Sequence, residues 1–250
     1  MFVTEFHPSF TNQPGDDDVL WRYMDLARFL SLLEDEAIYF ARADQMSDKW
    51  EGSYSQANVD MRPQLYGELF EDMNRQYPIM HESGLKTTHI NCWHESPVES
   101  AAMWDIYQRE GRGVAVRTTW KSLVASIGSD RSIFGGRVNY VDYRTTFIPE
   151  GNFFDRFMHK RLSFAHEREV RLIMMTGRSI PHPTEEHSAI SLGPEPPVIP
   201  IPVDLKKLIQ TVHVAPDAPD WVSDLIQKVC KRYGHGFGVR HSDLASDPIV

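Results

Sequence analysis

The run from His159 to Met175 reads His-Lys-Arg-Leu-Ser-Phe-Ala-His-Glu-Arg-Glu-Val-Arg-Leu-Ile-Met-Met. Lys160, Arg161, Arg168 and Arg171 crowd against Glu167 and Glu169. The stretch then closes as an apolar run, Val170 to Met175, of the kind a buried strand needs. Charges at the entrance to a core are costly unless they pair or bind something. Two chemistries fit them: a paired, structural ion cluster, or a site for a phosphate-bearing ligand with a carboxylate placed for reaction. Strand geometry sharpens the second. Side chains alternate across a strand, so Val170 and Leu172 should face the core. Glu169 and Arg171 should then share the opposite face. They are predicted to line a cleft with Lys160 or Arg168 near its rim, where the cations keep the carboxylate ionised.

The elements that must position these groups are short. Residues 1–18 read as an irregular arm ending in the acidic turn Gly15 to Asp18. Val19 to Tyr23 and Ala37 to Ala41 read as strands. Between them Asp25 can cap a helix with Leu26, Phe29, Leu30 and Leu33 on one face. The loop Asp44 to Gly52 is rich in turn formers yet carries Trp50, and loops with large aromatics are packed down or functional. Trp50 and Glu51 are expected at the site, with Glu51 paired to an arginine. Pro63 to Tyr77, Ser96 to Tyr107, Trp120 to Ile127, Gly151 to Phe164 and Pro219 to Tyr233 read as helices, with Gly111-Arg112-Gly113 stopping the second. Thr87 to Trp93, Val114 to Thr118, Val138 to Tyr143, Val170 to Met175, Val198 to Val203, Thr211 to Ala215 and Phe237 to His241 read as strands. Residues 177–200, rich in proline, form a loop excursion. The tally is eight or nine strands without a strict strand–helix alternation. It predicts one α+β domain over residues 19–250, with a mixed, largely antiparallel central sheet flanked by helices.

Bulk properties bound the function. The chain has 250 residues, 41% hydrophobic, enough for a large core. A net charge of −9 argues against non-specific nucleic-acid binding, while leaving room for a local basic groove. Two distant cysteines, Cys92 and Cys230, are no disulfide framework and suit a reducing cytoplasm. The N-terminal residues lack the pattern of a signal peptide, and no apolar run is long enough to span a membrane.

Five stretches are familiar together: Leu20-Trp21-Arg22-Tyr23 with Ile38-Tyr39-Phe40-Ala41; Ser47 to Gly52; Cys92-Trp93-His94-Glu95 with Ser100 to Trp104 and Gly113 to Val116; His166 to Arg171; and Val212 to Pro216. In that order they resemble the bacterial domain-of-unknown-function family 2971, over roughly residues 19 to 248. The resemblance implies a single-domain bacterial or phage-related cytoplasmic protein, with a role in phage defence or as a toxin. It implies no established reaction.

Glu167-Arg168-Glu169 at a strand entrance resembles the Glu-x-Glu element of ADP-ribosyltransferases, enzymes that cleave the nicotinamide–ribose bond of NAD. The transition state is oxocarbenium-like, so a carboxylate beside the ribose helps by charge. On this resemblance Glu169 and Glu167 are the catalytic candidates, NAD is the substrate, and the fold is ADP-ribosyltransferase-like. Those enzymes also place an arginine or histidine on an early strand, and Arg22 matches. A guanidinium suits a pyrophosphate through bidentate bonds. Tyr23, Tyr39, Trp93 and Trp104 are candidates for stacking on the ligand, although Met103, Trp104 and Tyr107 at helical spacing also read as core. His94, Lys160, Arg168 and Arg171 complete the binding set, and Arg42 would add to a basic cleft wall. No Ser-Thr-Ser strand is present; Ser96 and Ser100 are loose stand-ins.

Two further readings stay open. Glu169-Val170-Arg171 imitates a carboxylate-x-basic strand of a metal-dependent nuclease, which would need a second carboxylate such as Asp142 or Glu51. A basic cluster flanked by aromatics also suits a non-enzymatic nucleotide- or RNA-binding module. No zinc-type spacing joins His94, His159 and His166, so no metal is predicted. No nucleophile elbow, phosphate loop or dinucleotide fingerprint occurs.

Overall fold

A computed structural model describes residues 1–107, 113–176, 178–181, 188–191 and 195–248, of which 178–181 and 188–191 are described by their backbone alone. The strands are β1 (Val19–Asp25), β2 (Ala37–Arg42), β3 (Thr88–Glu95), β4 (Gly113–Thr119), β5 (Phe134–Arg137), β6 (Asn139–Val141), β7 (His159–Arg161), β8 (Glu169–Met175), β9 (Arg178–Pro181), β10 (Ser188–Ser191), β11 (Val198–Pro202), β12 (Thr211–Val214) and β13 (Gly238–His241). The helices are α1 (Leu26–Asp35), α2 (Gln56–Tyr66), α3 (Phe70–Thr87), α4 (Ala101–Tyr107), α5 (Trp120–Ser126), α6 (Leu205–Leu208) and α7 (Asp220–Arg232).

A nine-stranded sheet runs β11-β2-β3-β1-β4-β12-β13, with β8 against β3 and β5 against β8. Every pairing in it is antiparallel except β12 with β13, which gives the mixed, largely antiparallel sheet the sequence predicts. The sheet splits at β3. One edge of β3 pairs with β8 along its full length, Thr88–Met175 to His94–Glu169. The other edge is shared. β2 meets it only at Ala41–Ile90 and Arg42–His89, and β1 only at Leu20–Glu95 and Trp21–His94. Asn91, Cys92 and Trp93 therefore face a wedge between two diverging strands.

Two apolar clusters cover the two faces. The larger packs Val170, Leu172 and Met174 of β8 with α1, α5 and α7 through Phe29, Leu123 and Ile226. The smaller gathers Phe10, Ile90, Phe154, Phe157, Met158 and Ile173. β8 thus buries both faces, with Glu169 and Arg171 on the side of the smaller cluster. Asp25 caps α1 by accepting from Arg28 N at 2.8 Å, as its position predicts.

Several segments depart from expectation. Pro63 to Tyr77 is not one helix: α2 ends at Gly67, whose backbone takes φ 51°, ψ −122°, and α3 begins afresh at Phe70. Gly151 to Phe164 is not helical. A 3-10 turn at Asp155–Phe157 leads into β7 and a second 3-10 segment, Leu162–Glu167. A helix with Phe153, Phe154, Phe157 and Met158 inward would have pushed Arg156 outward; the observed path buries it, and Lys160 with it. Of Val138 to Tyr143 only Asn139–Val141 is strand, β6, which pairs with β7 outside the main sheet. Within 177–200, β9 and β10 form a separate two-stranded ribbon. The described strands number thirteen, more than the eight or nine expected, because β5, β7, β9 and β10 are strands of only three or four residues outside the predicted runs. The 1–18 arm is packed down: Phe2 bridges Ile133 and Phe10 joins the smaller cluster. Residues 108–112, including most of the Gly111-Arg112-Gly113 stop, lie outside the described residues. Among those described, no helix is long and apolar enough to cross a membrane.

Candidate functional site

The wedge in the sheet opens into a cavity of about 540 Å³. Its walls come from β1 (Arg22, Tyr23), β2 (Tyr39), β3 (Cys92, Trp93, His94), the 46–51 loop (Met46, Asp48, Glu51), β7 (Lys160) and the entrance to β8 (Glu167, Glu169, Arg171). The split supplies polar backbone that no strand can pair. Arg22 fills part of the gap: its Nη1 donates to the Cys92 carbonyl, and its guanidinium lies 5.7 Å from the centre of the Trp93 ring. Asn91 fills the rest, donating from Nδ2 to the Tyr39 carbonyl at 2.8 Å and accepting from Trp93 Nε1 at 2.7 Å. Among the described residues Arg22 has no carboxylate partner, and burial pulls its pKa down. It is a buried cation of this cavity with donors left for an anion.

Arg171 is differently placed. Its side chain is 1% exposed and its donors are largely spent. Nε donates to Glu169 Oε2 at 2.8 Å, Nη1 to Glu51 Oε1 and to the Phe157 carbonyl at 2.6 Å each, and Nη2 to Glu51 Oε2 at 2.9 Å. Such a guanidinium fixes two carboxylates in place rather than binding a ligand. Removing it would strand both carboxylates, at a cost of about 3–5 kcal/mol. Lys160 bridges the other side of the pair, donating to Glu167 and to Glu169 Oε1, the latter at 3.2 Å.

The two candidate acids are pushed apart. Burial would raise the Glu169 carboxyl, but Arg171 and then Lys160 outweigh it and hold it well below the usual carboxylate range. Glu167 moves up, by burial and by the charge of Glu169, against the opposing pull of Lys160. Titratable neighbours driven in opposite directions are the pattern of an ionised group beside a proton-carrying one. With Glu167 ionised, Arg22, Lys160 and Arg171 balance Glu51, Glu167 and Glu169; with it protonated, the same six groups carry one net positive charge.

The turn into β8 explains how neighbouring residues come to different surroundings. Arg168 sits in the left-handed region at φ 42°, capping the 3-10 segment. Its carbonyl accepts from Glu95 N at 2.9 Å, and the side chain projects outward, exposed. Arg168 is therefore not part of the cavity wall, and Lys160 takes the rim position instead. The Glu169 N–H lies beyond the reach of β5 and donates to the Tyr140 hydroxyl at 2.8 Å. His94 is held by Nδ1, which donates to the Glu167 carbonyl at 2.7 Å, and burial lowers its pKa.

The 46–51 loop is aimed by Gly52. That residue has φ +66°, and a Cβ there would stand 2.4 Å from the Phe157 ring, so glycine is required twice over. Glu51 thereby reaches Arg171, the pairing expected from sequence. Trp50 does not face the cavity. It is 44% exposed and packs edge-on against Tyr143 at 5.8 Å, with Arg161 over its ring at 5.7 Å.

Other candidates are displaced. Trp104 is buried in the larger core and donates from Nε1 to Glu99 at 2.9 Å, which turns it away from the ligand space. Ser96 and Ser100 serve the turn before α4, where their Oγ atoms accept from Val98 N and Met103 N. Arg42 pairs with Asp44 at 2.8 Å and stays off the wall. Asp142 is engaged by Arg144 at 2.8 Å, away from Glu169. Glu51 does converge with Glu169, but Arg171 occupies the space between them. Among the described residues, no group of three or more metal-ligating side chains is gathered for an ion.

Sequence reasoning missed Asp48, Cys92, Tyr107 and Tyr140. Asp48 lies in the flagged loop and pairs with Arg161 at 2.6 Å. Cys92 was legible only as a buried strand residue; burial and the Glu169 charge push its thiol up to about 12, which removes it as a nucleophile. Tyr107 follows one turn after Met103 on α4, and both reach the cavity. Tyr140 has no local signal.

No family model matches the sequence, and no curated protein does. Among solved structures, Thermus sp. 2.9 DarT in complex with ADP-ribosylated ssDNA aligns over 93% of this chain and 96% of that chain, at 10% identity and a TM-score of 0.38. A likeness of that size carries no argument about what this chain does.

Proposed function

We propose that the chain is an NAD-consuming enzyme of the ADP-ribosyltransferase kind, with membership of family 2971 as part of the same reading. The observation that carries it is Glu169, an ionised carboxylate fixed by Arg171 and Lys160 in a cavity where the buried cation Arg22 has no carboxylate partner among the described residues. The reaction breaks the bond between ribose C1 and the nicotinamide nitrogen. Nicotinamide leaves with the bonding pair, C1 gains a bond to an acceptor or to water, and the acceptor's proton is released. Positive charge grows on the ribose as the bond lengthens, and a fixed negative charge beside it stabilises that state more than the ground state. Glu169 supplies this charge. Arg22 would take the pyrophosphate, and Trp93, Tyr23 and Tyr39 offer ring surfaces to the flat ends of the dinucleotide. Glu167 serves as the proton acceptor for the attacking group once ionised. The volume suits a ligand of this size.

The test is nicotinamide release from NAD by the purified protein in the presence of a chelator. Glu169→Gln is expected to lower the rate by about 10²-fold or more while leaving Tm within a few degrees of the parent. Nucleotide binding without turnover would replace this reading with a binding module. Chelator-sensitive cleavage of DNA or RNA would replace it with a nuclease.

A further inference from the structure

A second cavity, of about 130 Å³, lies between α3 and the segment that carries Arg156, outside the site described above. Arg156 is 3% exposed. Among the described residues its one hydrogen bond runs from Nη2 to the Met80 carbonyl at 3.3 Å, and its buried Nε has no partner there. Among the described residues no carboxylate pairs with it. Glu150 lines the same cavity but is already saturated: it accepts from Arg62 Nε at 3.0 Å, Asn58 Nδ2 at 2.9 Å, the Tyr66 hydroxyl at 2.6 Å and the Tyr77 hydroxyl. The Arg156 guanidinium is held by rings instead, 4.3 Å from the centre of Phe153, 4.9 Å from Phe157 and 6.0 Å from Tyr54. Ring faces steady a cation but leave its in-plane N–H donors unused. The position is specified from α3 as well, where a Cβ on Gly84 would stand 1.6 Å from Nη2.

We propose that this cavity binds a small aromatic carboxylate, its carboxylate on the in-plane donors of Arg156 and its ring against Tyr54, Tyr77 and Phe153. A buried cation without a counter-charge is costly, and a carboxylate matches a guanidinium in geometry as well as in sign. At about 130 Å³ the space is close to that of an apolar cavity of about 150 Å³ that accepts benzene, so a single six-membered ring is the size it takes, with the carboxylate reaching from the ring onto Arg156. Tyr54 and Tyr77 already stand edge-to-face at 6.0 Å, an arrangement that offers a ring both a face and an edge. Met80, 44% exposed, lies between the cavity and solvent, and its flexible side chain can admit a ligand.

The test is thermal unfolding with added benzoate, and with benzamide as its neutral isostere. Benzoate is expected to raise Tm by about a few degrees and to saturate; benzamide is expected to leave Tm unchanged. Arg156→Gln should abolish the benzoate shift. Arg22→Gln should preserve it, which separates this cavity from the larger one and this inference from the reading of that site. Should Arg156→Gln fold poorly, Met73, which lines the cavity, offers a second variant: Met73→Trp fills the space with the cation intact and should abolish the shift alone. The proposal is overturned if benzoate gives no shift or benzamide an equal one. It is also overturned if the shift survives Met73→Trp or disappears in Arg22→Gln.

Discussion

At the residue scale the site turns on the contrast between Glu167 and Glu169, two residues apart and displaced in opposite directions. The sign of each displacement fixes a pH dependence. Glu169 is depressed in the folded protein, so its stabilisation is present above the unfolded carboxylate value, about 4.3, and is lost as pH falls through the folded value. Glu167 is raised, so its contribution is present below the unfolded value and is lost as pH rises through the folded one. Glu167→Gln removes the second effect. Its Tm, measured against the parent from about pH 4 to about pH 8, is expected to gain on the parent as pH rises. Glu169→Gln should show the reverse trend, gaining on the parent only as pH falls below about 4.3. A constant Tm difference for Glu167→Gln would mean that Glu167 titrates like an exposed carboxylate, leaving the pair undivided.

At the element scale the question is how the 46–51 loop delivers Glu51 to a strand on the far side of the cavity. The loop turns at Gly52, where the positive φ and the contact with Phe157 both exclude a side chain. Gly52→Ala should therefore cost about 1–3 kcal/mol from overpacking, with a backbone penalty of about 1–2 kcal/mol added. Denaturant unfolding measures the loss, and a variant as stable as the parent would show that the loop relaxes freely. The split edge of β3 works in the same way on the opposite wall. β1 and β2 cannot both follow it, so Arg22 and Asn91 bond the backbone that pairing leaves over. The same divergence that leaves these groups unpaired makes the room for a ligand.

At the scale of the whole molecule, the N-terminal arm belongs to the fold. Phe2 is 8% and Phe10 4% exposed, on opposite faces of the sheet: Phe2 stacks edge-on against Trp120 at 5.4 Å, and Phe10 stacks on Phe134 at 5.3 Å. Arg137, at the end of β5, ties in the same arm by donating to the Gln13 carbonyl at 2.7 Å and to Asp18 at 2.6 Å. Burying a phenylalanine contributes about 1.5–3 kcal/mol. Removal of residues 1–12 is thus expected to lower the unfolding free energy by several kcal/mol in a single cooperative transition. An unchanged midpoint would make the arm an ornament of the surface.

Much of this was legible in one dimension, because it rests on local periodicity. The alternation in β8 placed Val170 and Leu172 in the core and Glu169 and Arg171 opposite them. Asp25 announced its cap, and the incongruous Trp50-Glu51 pair marked a loop that reaches the site. Where several near-neighbours all point inward, periodicity fails: Phe154, Arg156, Phe157 and Met158 are buried along a path that is not an α-helix, and no single stripe can describe them. What only the tertiary structure decided is which charge meets which. Arg171 and Glu51 are 120 positions apart, and Arg22 finds the Cys92 carbonyl across 70. Arg168 and Lys160 looked alike in the sequence, yet a left-handed turn at Arg168 sends one to solvent while strand β7 brings the other to the carboxylates. Charge pairing depends on distance in space and on the local dielectric, and both are set only when the sheet closes around its split edge.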